Sequence, residues 1–181
     1  MSLVATASQT VGPYFHIGLS WADNAAIAGP EVAGQRVTIA GRILDGDGQP
    51  INDALIEVWQ ADSQGHYPEA GDGFRGFGRI PSGDDGGFRF STIKPGRVAG
   101  PGGTLQAPHL LLSIGMRGLL KRVTTRMYFP DEPANAEDPI LARVEPARRR
   151  TLIARASPSE PALLIWNVIM QGETETVFFD L

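Results

Sequence analysis

The sequence contains no cysteine, which removes disulfide bonds and thiolate metal sites from consideration. A reducing compartment such as the cytoplasm fits that usage. Histidine is nearly as scarce. His16, His66 and His109 are the whole supply, and no two of them share HExxH, HxH or HxxxH spacing. A lone histidine is more often a hydrogen-bonded structural residue than a ligand, because a metal needs several convergent donors. A nucleophile-elbow sequence and a Walker-type lysine are both missing. Basic excess is missing too: the formal net charge of -4 argues against a nucleic-acid surface. No apolar run approaches the ~18 residues of a membrane-spanning helix, and residues 1–12 lack the basic start and apolar core of a signal peptide.

What is present reads as strands. With 181 residues and 42% hydrophobic content, one domain over residues 1–181 is expected, large enough to bury a core without covalent staples. Residues 41–67 organise it. Before and into this stretch, Val37, Ile39, Gly41 and Ile43 alternate with Thr38, Ala40, Arg42 and Leu44, a two-residue period that suits a half-buried strand. Residues 54–60 repeat the pattern, and the Asp-Gly-Asp-Gly-Gln-Pro cluster at 45–50 permits a reversal between them. Further strand patterns fall at 88–90, 109–114, 122–129, 162–171 and 176–179. On residues 122–129, Val123, Thr125, Met127 and Phe129 oppose Arg122, Thr124, Arg126 and Tyr128, so one face is apolar and the other carries chemistry. Residues 68–87, 95–108 and 130–146 read as loops, and Pro146 can open one short helix through 148–151. Residues 1–34 have little periodicity but several large apolar side chains, which describes an arm packed on the chain's own sandwich or on a partner. The expected fold is an all-β antiparallel sandwich with an N-terminal arm, long loops and at most one or two short helices.

Two apparent motifs do not survive inspection. Residues 71–76 have the glycine spacing of a dinucleotide fingerprint, but no strand precedes them and no helix follows. Asp45 and Asp47 suggest a calcium loop, yet the remaining ligand positions are not carboxylates, so a turn is the better account. Arg148, Arg149 and Arg150 form the one basic run, read as a solvated helix end or loop, with a subunit contact as the alternative.

The run GRILDGDGQPINDALIEVWQADSQGHY (41–67), followed in order by FRFSTIKPG (88–96), resembles the signature of the intradiol ring-cleavage dioxygenases. QTVGPYFHIGL (9–19), TTRMYFPDE (124–132) and ETVFFDL (175–181) extend the resemblance over nearly the whole chain. The resemblance implies an Fe(III) enzyme whose metal is held by two tyrosines and two histidines. Here those positions are altered. The segment expected to carry the first tyrosine has none, Val98 stands in place of the second, and the family's Arg-Pro-x-His-x-His reads Gln106-Ala107-Pro108-His109-Leu110-Leu111. With Leu111 in the second histidine place, the two-residue chelate of one strand face is lost.

The resemblance therefore implies a chain without its own metal, working with a homologous iron-binding β subunit that cleaves 3,4-dihydroxybenzoate with O2. It further implies that Thr10, Gly12, Pro13 and Tyr14 of the arm, and Arg126, contribute to the substrate pocket. Arg126 is suited to the substrate's carboxylate through paired charge-assisted hydrogen bonds. A plain surface ion pair for Arg126, and a simple turn for Gly12-Pro13-Tyr14, are the alternatives. Two other readings of the chain remain: a transthyretin-like binding module, and an independent dioxygenase with a rearranged site built from Tyr14, Tyr67, His66 and His109.

Overall fold

The computed structural model describes residues 7, 9–12, 17–18, 25–69 and 73–180. Strand β1 (Arg36–Leu44) is its spine. Alternation puts Val37, Ile39 and Ile43 into the core, while Thr38, Ala40 and Arg42 face outward, as a pleated strand requires. After a turn in which Asp45 Oδ1 accepts from the backbone of Asp47 and Gln49, β2 (Leu55–Trp59) begins the second sheet. It pairs antiparallel with β3 (Phe77–Pro81) on one side.

Strand β4 (Gly87–Ile93) returns to pair antiparallel with β1. The short strands β5 (Val98–Ala99) and β6 (Leu105–Gln106) form a hairpin that feeds β7 (His109–Gly115), and β8 (Val123–Tyr128) follows. The second sheet thus runs β3-β2-β7-β8. The chain closes through β9 (Arg155–Ala156), β10 (Leu163–Ile165) and β11 (Val168–Ile169). β10 and β11 lie parallel to β1; the other strand pairings are antiparallel.

The two sheets meet over Ile39, Ile43 and Phe90 from one side and Ile56, Leu112 and Met127 from the other. At their junction Gln60 is 1% exposed. Its amide donates to Ile93 O at 3.0 Å and accepts from Thr92 Oγ1 at 2.5 Å, a fully paired polar bridge where an unpaired one would be costly. Among the described residues no helix is long and apolar enough to cross a membrane.

Several local expectations are refined. Strand β3 lies inside the segment read as loop, because Phe77–Pro81 is too short and too rich in Gly and Pro to show a period. The 162–171 pattern is split into β10 and β11 at Trp166 and Asn167. There Asn167 Oδ1 replaces a ladder carbonyl and accepts from Arg42 N at 3.0 Å. Residues 130–146 hold two 3-10 turns, Pro133–Glu137 and Leu141–Arg143, and the helix expected near 148 is a third, Arg149–Thr151. Two residues of the basic run there are tied to their own chain while Arg150 is exposed. Arg148 meets Glu175 at 3.5 Å, and Arg149 donates to Val144 O at 2.9 Å.

The inner end of the arm belongs to this chain's own core. Ile27 and Ala28 are buried, Ile27 N donates to Ser91 O at 2.9 Å, and the Arg36 guanidinium gathers the carbonyls of Ala28, Gly29, Pro30 and Val32.

One backbone approach fixes the register of the first sheet. A Cβ at Gly41 would overlap the carbonyl oxygen of Trp166 and meet the Phe88 ring at 2.9 Å. Gly41→Ala is expected to lower stability by about 3 kcal/mol or more, read as a reduced urea midpoint. Gly29→Ala, with nothing near its added methyl, is expected to stay near wild type; equal midpoints for the two variants would refute the close approach.

Candidate functional site

The outer face of the second sheet collects the polar chemistry. Because residues two apart share a face, β8 contributes Thr124, Arg126 and Tyr128. Their cross-strand partners on β7 are Ser113, Leu111 and His109. Trp59 and Glu57 of β2 lie beyond Leu111 and Ser113. The opposite face of β8 is sealed, with Thr125 and Met127 fully buried. The amphipathic reading of residues 122–129 therefore holds, with one exception. Tyr128 belongs to the outer face but is buried, since Ala134, Leu141, Val144 and Leu152 pack over it.

Arg126 sits at the centre of this arrangement. Its Nη1 donates to Gln106 Oε1 at 2.7 Å, and its charge draws the Tyr128 pKa downward. Among the described residues it pairs with no carboxylate. The Gln106 acceptor is neutral, and the guanidinium opens into a cavity of about 410 Å³ lined also by Arg143, Val144, Glu145, Val177, Phe179 and Asp180.

Tyr128 stays a phenol. Burial pushes its pKa well up, and the Asp138 carboxylate adds to this against the opposing pull of Arg126. The hydroxyl donates to Asp138 Oδ1 at 3.0 Å. Asp138 is itself fully buried and accepts from Ala107 N at 2.7 Å, Ile140 N at 3.0 Å and Leu141 N at 2.7 Å. Neither Asp138 nor Gln106 stood out in the sequence. The Asp138-Pro139 step is a turn-initiation signal, but its long-range partners leave no local pattern.

His109 is 3% exposed, and its ring lies 5.8 Å from that of Tyr128. Nδ1 faces the Ala107 carbonyl at 2.7 Å; a carbonyl only accepts, so this nitrogen carries the proton. Burial first, then the charge of Arg126, holds the imidazole pKa down to about 4, against the smaller effects of Ala107 and Asp138.

A ferric ion does not fit this corner. Val98 and Leu111 offer hydrocarbon, His109 has one ring nitrogen left, and that nitrogen stands in the field of a guanidinium. His66 cannot complete the set, because it lies exposed beside Asp62 at 3.8 Å, whereas His109 is enclosed on β7.

The arm residues are placed only in part. Thr10 Oγ1 donates to Met116 O at 3.4 Å, just past the end of β7, and Val11 approaches Gly115. Gln9 and Val11 help line a depression over Glu57, Trp59 and Leu111. Gly12 is exposed with nothing close to it. Within one chain, therefore, the Thr10 and Arg126 side chains are not brought together: they occupy different parts of one sheet face. Pro13 and Tyr14 lie outside the described residues.

A dioxygenase family model matches residues 11–172. The chain belongs to the intradiol ring-cleavage dioxygenase family. It is 42% identical over 199 aligned residues to a protocatechuate 3,4-dioxygenase alpha chain from Burkholderia cepacia, covering 99% of both chains. A protocatechuate 3,4-dioxygenase beta chain from the same organism is 37% identical over 144 residues, 73% of this chain and 60% of that one. Among solved structures, the dioxygenase domain of a carbohydrate-binding fusion protein from Streptomyces sp. SirexAA-E superposes with a TM-score of 0.65 at 25% identity, covering 95% of this chain and 99% of that one. The transthyretin-like binding module has no comparable support. Within the family, this chain keeps the sheet framework and has hydrocarbon at two of the positions the signature assigns to ligands.

The depressed His109 pKa has a thermodynamic consequence. Between pH 6.5 and about 4 the unfolded chain takes up a proton that the folded imidazole does not. Stability is then full above the unfolded value and falls as pH drops through this window, by about 3 kcal/mol in all. Urea unfolding followed from neutral pH to pH 4 checks this. His109→Leu is expected to flatten the slope, and an unchanged slope would show that folding does not lower the proton affinity of this histidine.

Proposed function

We propose that this chain is the non-iron α-type subunit of a protocatechuate 3,4-dioxygenase, folded as one domain over residues 1–181 with residues 1–34 as its arm. It works in the cytoplasm beside a homologous β subunit that binds Fe(III). The observation that carries the reading is the full-length likeness to an alpha chain; the hydrocarbon at Val98 and Leu111 supports it from the side of chemistry. The partner's ferric ion supplies the chemistry that cleaves 3,4-dihydroxybenzoate with O2 to 3-carboxy-cis,cis-muconate.

This chain's share is recognition. Arg126 presents on the outer sheet face a guanidinium that forms no ion pair with a carboxylate among the described residues and is held by the neutral amide of Gln106, and the substrate carries a carboxylate that the plain catechol ring lacks. Thr10, Gly12, Pro13 and Tyr14 of the arm line the assembled pocket from its rim. The described part of the arm supports this by lying across the same face of the sheet.

Oxygen uptake with 3,4-dihydroxybenzoate tests the reading directly, comparing the chain alone plus added iron against the chain co-expressed with its β partner. Uptake only by the pair is the expected result; uptake by the chain alone would overturn it. In the assembled enzyme, Arg126→Ala is expected to cost ~1 to 3 kcal/mol in kcat/KM for 3,4-dihydroxybenzoate and much less for catechol. Equal losses on both substrates would remove Arg126 from carboxylate recognition.

A further inference from the structure

Arg126 is long and lies at the edge of a cavity, so something must hold its guanidinium in one orientation if it is to recognise an anion with any selectivity. The holding group cannot be a carboxylate. An aspartate or glutamate at hydrogen-bond distance would form the paired bonds that guanidinium geometry favours and would cancel the charge an incoming ligand needs. Gln106 meets both requirements. It closes the β5–β6 hairpin, is 8% exposed, and its Nε2 donates to Ala99 O at 3.3 Å within that hairpin. The donation fixes which end of the amide faces outward. Flipped, the amide would set its NH2 against a guanidinium that can only donate. The unflipped Oε1 accepts from Arg126 Nη1 at 2.7 Å.

The position also has meaning within the ligand-bearing motif. Where the resemblance places arginine, this chain has Gln106; an arginine there would set two guanidinium groups against each other and leave Arg126 without its acceptor.

We propose that Gln106 is a positioning residue for carboxylate recognition: it holds the Arg126 guanidinium through a neutral acceptor, leaving the charge and the remaining N–H donors to the carboxylate of an aromatic acid. The inference rests on the reading of Arg126 as the carboxylate's partner. It adds that selectivity is set one residue further back, by the neutrality of the group behind the arginine.

The test uses the assembled enzyme with Arg126→Ala, Gln106→Glu and Gln106→Met, measuring KM and kcat separately for 3,4-dihydroxybenzoate and for catechol. Anaerobic equilibrium dialysis of both ligands provides a readout independent of turnover. Gln106→Glu keeps an acceptor but adds a competing charge, and is expected to raise KM and the dissociation constant for 3,4-dihydroxybenzoate about tenfold or more. The loss on catechol is expected to be much smaller. The defect should shrink as pH falls and the introduced carboxyl takes up a proton, a signature that a purely structural role would not produce. Gln106→Met, which nearly conserves volume but offers no comparable acceptor, is expected to give a smaller defect, also in KM and without pH dependence. If Arg126→Ala is selective while neither Gln106 variant is, the Gln106 inference fails and the Arg126 reading stands. If Arg126→Ala weakens both substrates alike, the Arg126 reading fails and takes the inference with it. Equal loss on both substrates from the Gln106 variants alone would reduce Gln106 to packing.

Discussion

The Asp138 carboxylate is the interaction on which the outer sheet face depends. It is fully buried, and a buried charge persists only when its lone pairs are occupied. Here they are met by backbone N–H groups of Ala107, Ile140 and Leu141 and by the Tyr128 hydroxyl. These donors come from different places: the entry to β7, the end of β8, and the turn that Asp138 itself begins. One carboxylate therefore locks the 133–143 segment over Tyr128 and aligns the start of β7 beside the end of β8. It also decides where the phenolic proton points. With that proton directed at Asp138, a neutral phenol lies beside the buried carboxylate.

The electrostatics of the corner follow from this arrangement. Arg126 is oriented by the neutral amide of Gln106, and burial, then the charge of Arg126, lowers the proton affinity of His109. A guanidinium that disfavours a second proton also disfavours a metal cation, while it favours an anion. The outer face in this subunit is consequently suited to a carboxylate and unsuited to a ferric ion. Hydrocarbon at Val98 and Leu111 and an arginine held by a neutral amide act in the same direction.

Strands with a clean two-residue period were legible in the sequence, and so was the division of β8 into an apolar and a polar face. Burial of Ile39, Ile56 and Met127 follows directly from that period. Strand β3 was not legible, because five residues containing a glycine and a proline make no pattern. The parallel placement of β10 and β11 beside β1 was hidden as well, since alternation carries no information about strand direction. The candidate site was half visible. Arg126 could be found from its strand face and its motif, whereas Gln106, Asp138 and the burial of Tyr128 depend on contacts between segments some 10 to 30 residues apart, which no local window contains.

The boundary of the outer face is itself assembled from both ends of the chain. Phe179 N donates to Thr124 O at 2.8 Å, and Val177 O accepts from Thr125 Oγ1 at 2.8 Å, so the C-terminal segment covers the free edge of β8 and supplies a wall of the cavity beside Arg126. Thr10 and Val11 reach the same sheet past the end of β7. An unpaired strand edge is a place where chains associate without control, and covering it with the C-terminal segment leaves the broad face, rather than the edge, as the surface available for ordered contact. Arg126 lies on that face and close to the covered edge. A ligand or partner can therefore reach its guanidinium from the open side while β8 remains hydrogen-bonded on both edges, by β7 on one and by Phe179, Leu152 and Ala154 on the other.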